Sequence, residues 1–203
     1  MSETNRTANQ NIDHMNALER GLKRVGDIVG ALLGMIVLTP VFCVIYILLK
    51  TDGTNSVIFH QERIGKGGRP FMLMKFRTMR DEEEDTPKLA EENDDRLTKY
   101  GCCLRRHHLD ELPQLWNVLR GDMSFVGYRP ERKYFIDQIM EHNPDYALLY
   151  CSRPGITSAA AIHNGYTYTM EQMLRRLDMD LDYLRHRTLW LDLKIMFETI
   201  TAL

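Results

Sequence analysis

From Ile28 to Leu49 the chain reads IVGALLGMIVLTPVFCVIYILL, 22 consecutive residues without a charge. As an α-helix at 1.5 Å per residue this stretch would extend about 33 Å, enough to cross the ~30 Å hydrocarbon core of a bilayer. It decides the fold class, because a chain that carries it is expected in a membrane. A cleaved secretory leader would have a shorter apolar part ending in small residues, so a retained anchor is the expectation. Pro40 lies mid-segment, where a backbone donor is lost and the ring meets the carbonyl of Ile36. Thr39 beside it can turn its hydroxyl to the carbonyls of the preceding turn and bend the helix further. Arg20, Lys23 and Arg24 precede the segment and Lys50 follows it, so the positive-inside rule selects no orientation. A helix–break–helix hairpin entering and leaving by one face satisfies both the proline and the flanks. A kinked single crossing also accommodates the proline.

Outward from the anchor, the chain divides into a polar flexible tail (1–19), the anchor itself (20–50) and a membrane-associated domain (51–203). A length of 203 residues corresponds to one domain at roughly 150 residues per domain. With 44% hydrophobic and 27% charged residues, global disorder is excluded. Lys and Arg total 26 against 28 Asp and Glu, a net charge of -2, which argues against nucleic acid as a partner. The charge is unevenly spread. Arg63, Lys66, Arg69, Lys75, Arg77 and Arg80 occur with no acid among them, whereas Asp81–Asp95 holds nine acids and one lysine. Cys43, Cys102, Cys103 and Cys151 show no CxxC spacing, so free thiols in a reducing compartment are expected rather than zinc or disulfides.

The domain reads as mixed α/β and mostly helical. Val57–Ile64 and Pro70–Met79 have strand composition, and Gly65-Lys66-Gly67-Gly68 between them predicts a hairpin. Asp81–Asp95 reads as a solvated excursion. Leu112, Leu115, Trp116 and Leu119 make one helical stripe; Met170, Met173, Leu174, Leu177, Leu181 and Leu184 make a second, with Arg175 and Arg176 off it. Leu189, Leu193, Met196, Phe197 and Ile200 make a third. Such stripes face a core, or in an anchored protein the headgroup region.

The chemistry is densest in LRRHHLDELPQLWNVLRGDMSFVGYRP, Leu104 to Pro130. Pro113 belongs in a helix's first turn, so the helix is expected to begin at about Asp110, placing Asp110 and Glu111 at its positive end. Helix capping alone would explain such a pair. Their surroundings suggest more: Arg105, Arg106, His107 and His108 lie just upstream and Arg129 downstream. Carboxylates among cations stay ionised and can work beside phosphates. An ionised Asp can attack phosphorus, and a second carboxylate can hold Mg²⁺ or help a proton move. Lys75 and Arg77 add phosphate ligands, and Arg153, before a Pro-Gly turn, is another candidate. His107 and His108 are adjacent and would point apart on any regular element, which disfavours a paired metal role.

Several motifs in order make the resemblance specific. They are the basic-then-apolar anchor with its mid-segment proline, Lys75-Phe76-Arg77-Thr78-Met79, Leu109-Asp110-Glu111-Leu112-Pro113-Gln114-Leu115, and Gly121-Asp122-Met123-Ser124 leading to Arg129-Pro130. Arg153-Pro154-Gly155-Ile156-Thr157 and Leu191-Asp192-Leu193-Lys194-Ile195 complete the set. The chain, over roughly Arg20 to Leu203, resembles the bacterial sugar transferases that load a sugar phosphate onto polyprenyl phosphate, the monotopic phosphoglycosyl transferases, in their minimal catalytic form. The resemblance implies a re-entrant membrane helix broken at Thr39-Pro40, which makes the one-face hairpin the better reading, and a cytosolic domain at the bacterial inner membrane. It implies an enzyme in which Asp110 attacks the β-phosphate of a UDP-sugar, releasing UMP and holding the phosphosugar until polyprenyl (undecaprenyl) phosphate displaces it. Glu111 would assist, and Lys75, Arg105, Arg129 and Arg153 would hold substrate phosphates. Mg²⁺ would screen the diphosphate, with Asp110 as its protein ligand. Tyr128 and Ser158-Ala159-Ala160-Ala161 depart from the family's usual Pro and Gly-Trp-Ala-Gln, which bears on the sugar chosen rather than the chemistry. The alternative from another class is a membrane-tethered scaffold whose Asp-Glu pair merely caps a helix.

Overall fold

The structure, a computed structural model, describes residues 12–52, 56–79, 97–165, 167 and 169–202. Helix α1 (Ala17–Val37) opens on a capping box: Glu19 N donates to Asn16 Oδ1 at 2.9 Å, and Asn16 N donates to Glu19 Oε2 at 3.0 Å. It ends at Leu38, and α2 (Thr39–Thr51) leaves at a bend of 60°. Pro40 lies in the first turn of α2, where a missing N–H leaves nothing unsatisfied. Thr39 Oγ1 donates to Met35 O at 2.7 Å across the break. No single helix among the described residues is long and apolar enough to cross a membrane; α1 and α2 meet that test only together.

Small residues seat α1 on the rest of the chain. Ala31 is fully buried, and a methyl group placed on Gly30 would stand 2.8 Å from the ring of Phe125. The opposite face of α1 is bare, with Leu18, Leu22, Val25, Val29, Leu33 and Ile36 exposed at helical spacing.

Strands β1 (Ile58–Ile64) and β2 (Pro70–Phe76) pair antiparallel, Ile58 opposite Phe76 and Ile64 opposite Pro70. The 3₁₀ turn Lys66–Gly68 joins them, with Gly67 and Gly68 at φ 72° and 69°. The expected hairpin is therefore present, though β2 stops at Phe76, short of Met79. Asp81–Asp95 lies outside the described residues. Helix α3 (Gly101–Arg106) and the 3₁₀ turn Leu109–Glu111 then lead to α4 (Gln114–Arg120). The fully buried Asn117 of α4 stitches it to β2: its Oδ1 accepts from Met74 N at 3.0 Å, and its Nδ2 donates to Met72 O at 2.7 Å.

Two three-residue strands, β3 (Ser124–Val126) and β4 (Gly155–Thr157), form a separate parallel pair. Between them lie α5 (Lys133–His142) and a 3₁₀ segment, Pro144–Cys151; after them come α6 (Ala159–Asn164), α7 (Met170–His186) and α8 (Leu189–Ala202). The main core joins Tyr128, Phe135, Ile139, Tyr146 and Leu149 to Met173, Leu177, Leu181 and Leu184 of α7. A second core packs Ile45 and Leu49 of α2 on Val57, Phe76 and Leu104. The fold is thus mostly helical with two small sheets. Arg176, placed off the α7 stripe, is buried against Glu131. The α8 stripe turns outward, leaving Leu193, Phe197 and Ile200 exposed beside Trp190.

Candidate active site

Asp110 and Glu111 occupy the 3₁₀ turn Leu109–Glu111, one step before the helix in which they were expected. The α-helix proper starts at Gln114, with Pro113 as its N-cap, because the turn is entered through His108 in the left-handed region (φ 51°, ψ 19°). A non-glycine residue there carries strain. Asp110 is buried, and among the described residues no backbone N–H donates to its carboxylate, so helix capping does not account for it.

The two carboxylates meet different cations. Lys75, delivered by β2, stands 2.6 Å from Glu111 Oε1 but 3.8 Å from Asp110 Oδ2. Arg129, beyond β3, brings its guanidinium to 3.5 Å from the same Glu111 oxygen. Burial alone would push Glu111 up; Lys75 and Arg129 overcome it and hold the group down at about 2. Asp110 goes the other way. Burial raises it, the charge of Glu111 raises it further, and the more distant Lys75 and Arg105 offset only part of this. One carboxylate is thereby locked as an ion, and its neighbour keeps a basic, loosely paired oxygen.

Arg105 lies on α3, its Nε donating to Thr78 Oγ1 at 3.1 Å, and its charge acts on Asp110. Arg153 is placed elsewhere. Its Nε donates to Gly121 O at 2.8 Å, and it lines a cavity with Arg20, Arg24 and Lys66 that contains neither carboxylate. Lys75, Arg105 and Arg129 are therefore grouped around the dyad, and Arg153 is not. Sequence reasoning missed the support behind Arg129. There Glu131 takes Arg63 at 3.1 Å and Arg176 at 2.9 Å on its two oxygens, and the backbone of Arg129 is bonded to Asp180, which burial pushes up to about 7. Glu131, two residues after Arg129, was the available signal. Of the departures, Tyr128 fills the core, and Ser158 caps α6, its Oγ accepting from Ala161 N at 2.9 Å.

No cluster of three or more His, Cys, Asp or Glu side chains exists among the described residues. One oxygen of Glu111 is already engaged by two cations, so Asp110 is the dyad's freer oxygen donor. A single carboxylate completed by water and substrate phosphates suits Mg²⁺.

A mostly helical chain with a bent apolar helix pair, and a buried acidic dyad set among cations, defines the class. Comparison with known proteins assigns it. The sequence model of the bacterial sugar transferase family matches residues 18–203. The chain is 42% identical over 185 residues to a UDP-glucose:undecaprenyl-phosphate glucose-1-phosphate transferase of Caulobacter vibrioides, covering 89% of this chain and 69% of that protein. It is 42% identical over 189 residues to the Escherichia coli protein of the same description, covering 92% of this chain and 41% of the relative. It is 35% identical over 208 residues to a UDP-N-acetylgalactosamine-undecaprenyl-phosphate N-acetylgalactosaminephosphotransferase of Aeromonas hydrophila, covering 97% and 49% respectively. The chain belongs to the bacterial sugar transferase family, as its motifs indicated. It spans about half the length or less of the last two relatives.

Proposed function

We propose that this chain is a phosphoglycosyl transferase that moves a sugar 1-phosphate from a UDP-sugar to undecaprenyl phosphate, beginning the assembly of a glycan. The observation that carries this reading is geometric: two adjacent carboxylates set among cations, with Lys75 2.6 Å from Glu111 and 3.8 Å from Asp110 and Arg129 3.5 Å from Glu111. The relatives' names supply the substrate class.

An Asp110 oxygen attacks the β-phosphorus. A P–O bond to the α-phosphate oxygen breaks, and UMP leaves with the electron pair. The phosphosugar is then held on Asp110 as an acyl phosphate. An oxygen of undecaprenyl phosphate attacks the same phosphorus, the aspartyl–phosphorus bond breaks, and the carboxylate is regenerated with undecaprenyl-diphosphate-sugar as product. A covalent relay lets a water-soluble nucleotide and a lipid use one site in turn. Lys75, Arg105 and Arg129 neutralise phosphate oxygens, while Glu111 assists by keeping Lys75 and Arg129 in place. Mg²⁺, held by Asp110, would supply further neutralisation of the diphosphate.

The bent α1–α2 pair serves as a re-entrant anchor at the cytosolic face of the bacterial inner membrane, where both substrates meet. Its 60° bend and the bare apolar face of α1 support that placement. The scaffold alternative loses its footing because Asp110 caps no helix. Asp110→Asn tests the reading. With a panel of UDP-sugars, undecaprenyl phosphate and Mg²⁺, it should lower turnover at least about a thousandfold while the circular dichroism spectrum is unchanged. Wild-type turnover by that variant would remove Asp110 from the mechanism.

A further inference from the structure

The cavity that takes Arg153 measures about 240 Å³, several times the ~30 Å³ share of a liquid water. Six cations line it: Arg20, Lys23 and Arg24 from α1, Lys66 from the β1–β2 turn, Arg153, and Arg187 beyond α7. Neither dyad carboxylate lines it, and neither do Lys75, Arg105 or Arg129.

The local acids do not balance this charge. Asp13 takes Arg187 at 2.6 Å and Arg20 at 3.1 Å; Asp192 takes Lys23. Asp27, the acid in the cavity wall, accepts from Ser124 Oγ at 3.0 Å and Phe125 N at 3.1 Å and its charge acts on Arg153, so with Asp13 and Asp192 three carboxylates stand against six cations. Arg24 and Arg153 donate to the carbonyls that close α4, at Val118, Leu119 and Gly121. That accounts for both as helix C-terminal ligands, but a carbonyl dipole is not a counter-charge. Lys66 has no acidic partner among the described residues. Lys66 is exposed overall, but partial desolvation at the cavity lowers its affinity for a proton, and the charges of Arg153, Arg187 and Arg20 lower it further. Arg153 uses only its Nε in the bond to Gly121, which leaves its two terminal nitrogens for a ligand. Cations gathered in a partly desolvated space are unfavourable until an anion joins them, and flexible basic side chains around a concavity match the tetrahedral oxygens of a phosphate.

We propose that this cavity is a second, non-catalytic anion site that takes a phosphate group, lipid-borne or soluble, between the base of α1 and the body of the protein, with Lys66, Arg153 and Arg20 as its ligands. The inference goes beyond the transfer reaction and does not depend on it. An occupied site would tie α1 to the β1–β2 turn and to the Arg153 loop through one shared counter-ion.

Calorimetric titration of the purified full chain in neutral detergent tests this. One arm uses inorganic phosphate, and the other uses dihexanoyl phosphatidylglycerol below its micelle concentration. One saturable equivalent is expected in at least one arm, weakened about tenfold or more by Lys66→Gln and by Arg20→Gln, both on exposed residues. Arg129→Gln, at the dyad, should leave it within about twofold, since it removes no ligand. Binding to phosphate alone would identify a soluble anion as the occupant, and binding to the lipid alone would identify a headgroup. Absence of saturable binding in both arms would overturn the proposal, as would binding that the two cavity variants leave unchanged or that Arg129→Gln abolishes.

Discussion

Asp110 and Glu111 are neighbours in sequence, but they differ in acidity because they reach different cations. Lys75 is within hydrogen-bonding distance of Glu111 and more than an ångström further from Asp110, and Arg129 reaches only Glu111 of the two. The pH dependence follows. Attack needs the Asp110 carboxylate, so kcat/KM should rise with pH through a limb lying above the ordinary aspartate range. Glu111→Gln removes the neighbouring negative charge and frees Lys75 to turn to Asp110. Both effects lower the Asp110 pKa, so in a pH–rate profile the limb should move to lower pH, even as the rate itself falls. Stability carries the opposite sign for the two groups. Glu111 is held at about 2 against an ordinary 4.5, so its contribution to stability is present above about 4.5 and lost as pH falls towards 2. A raised Asp110 makes ionisation a cost to the folded state at neutral pH. Asp110→Asn should therefore melt higher than wild type at pH 7–8, with the gap closing near pH 4, as read by thermal unfolding across pH. The sequence motif named both carboxylates and Lys75, Arg105 and Arg129, which the fold groups together. It did not reveal the division of labour, which depends on how β2 and the 3₁₀ turn approach each other, nor the remote position of Arg153.

At the level of elements, the legible parts were those with a period. The α7 stripe and the β1–β2 hairpin announce themselves through apolar spacing and a glycine turn, and both are present. Strands β3 and β4 have three residues each, too few for any alternation to register. Their contact explains the glycine of Arg153-Pro154-Gly155 instead: a methyl group on Gly155 would lie 2.2 Å from the backbone nitrogen of Gly127. Gly155→Ala must push the two strands apart and should cost roughly 1–3 kcal/mol or more by denaturant unfolding. The ion triad Arg63–Glu131–Arg176 joins β1 to α7 through the segment that carries Arg129. Removing one cation leaves Glu131 buried with half its pairing, so Arg176→Met should destabilise by about 3 kcal/mol in the same measurement. Periodicity sets Arg176 off the apolar stripe because it ranks residues by hydrophobicity alone, and its partner lies 45 residues away.

Over the whole molecule, most of the exposed large apolar side chains among the described residues lie on helices. The outer face of α1 is bare, and so are Trp190, Leu193, Phe197 and Ile200 of α8 and Trp116 of α4. Soluble monomers rarely leave so much apolar surface uncovered, and the proposed membrane placement would cover it. In the proposed re-entrant arrangement, with its break at Thr39-Pro40, both ends of the α1–α2 pair lie on one side. Cysteines introduced by Gln10→Cys and Ser56→Cys into a chain stripped of its own thiols should both react with an impermeant reagent from the cytosolic face only. Labelling from opposite faces would mean a crossing. The central claim is that Asp110 carries the phosphosugar between two substrates. The most direct test is the intact mass of the purified chain with Mg²⁺ and its UDP-sugar, first without and then with undecaprenyl phosphate, while UMP is recorded. The account predicts a stoichiometric burst of UMP and a sugar-phosphate adduct that disappears when the lipid is added and never forms on Asp110→Asn. UMP release that begins only when lipid is present, with no adduct at any time, would contradict it and point to direct transfer.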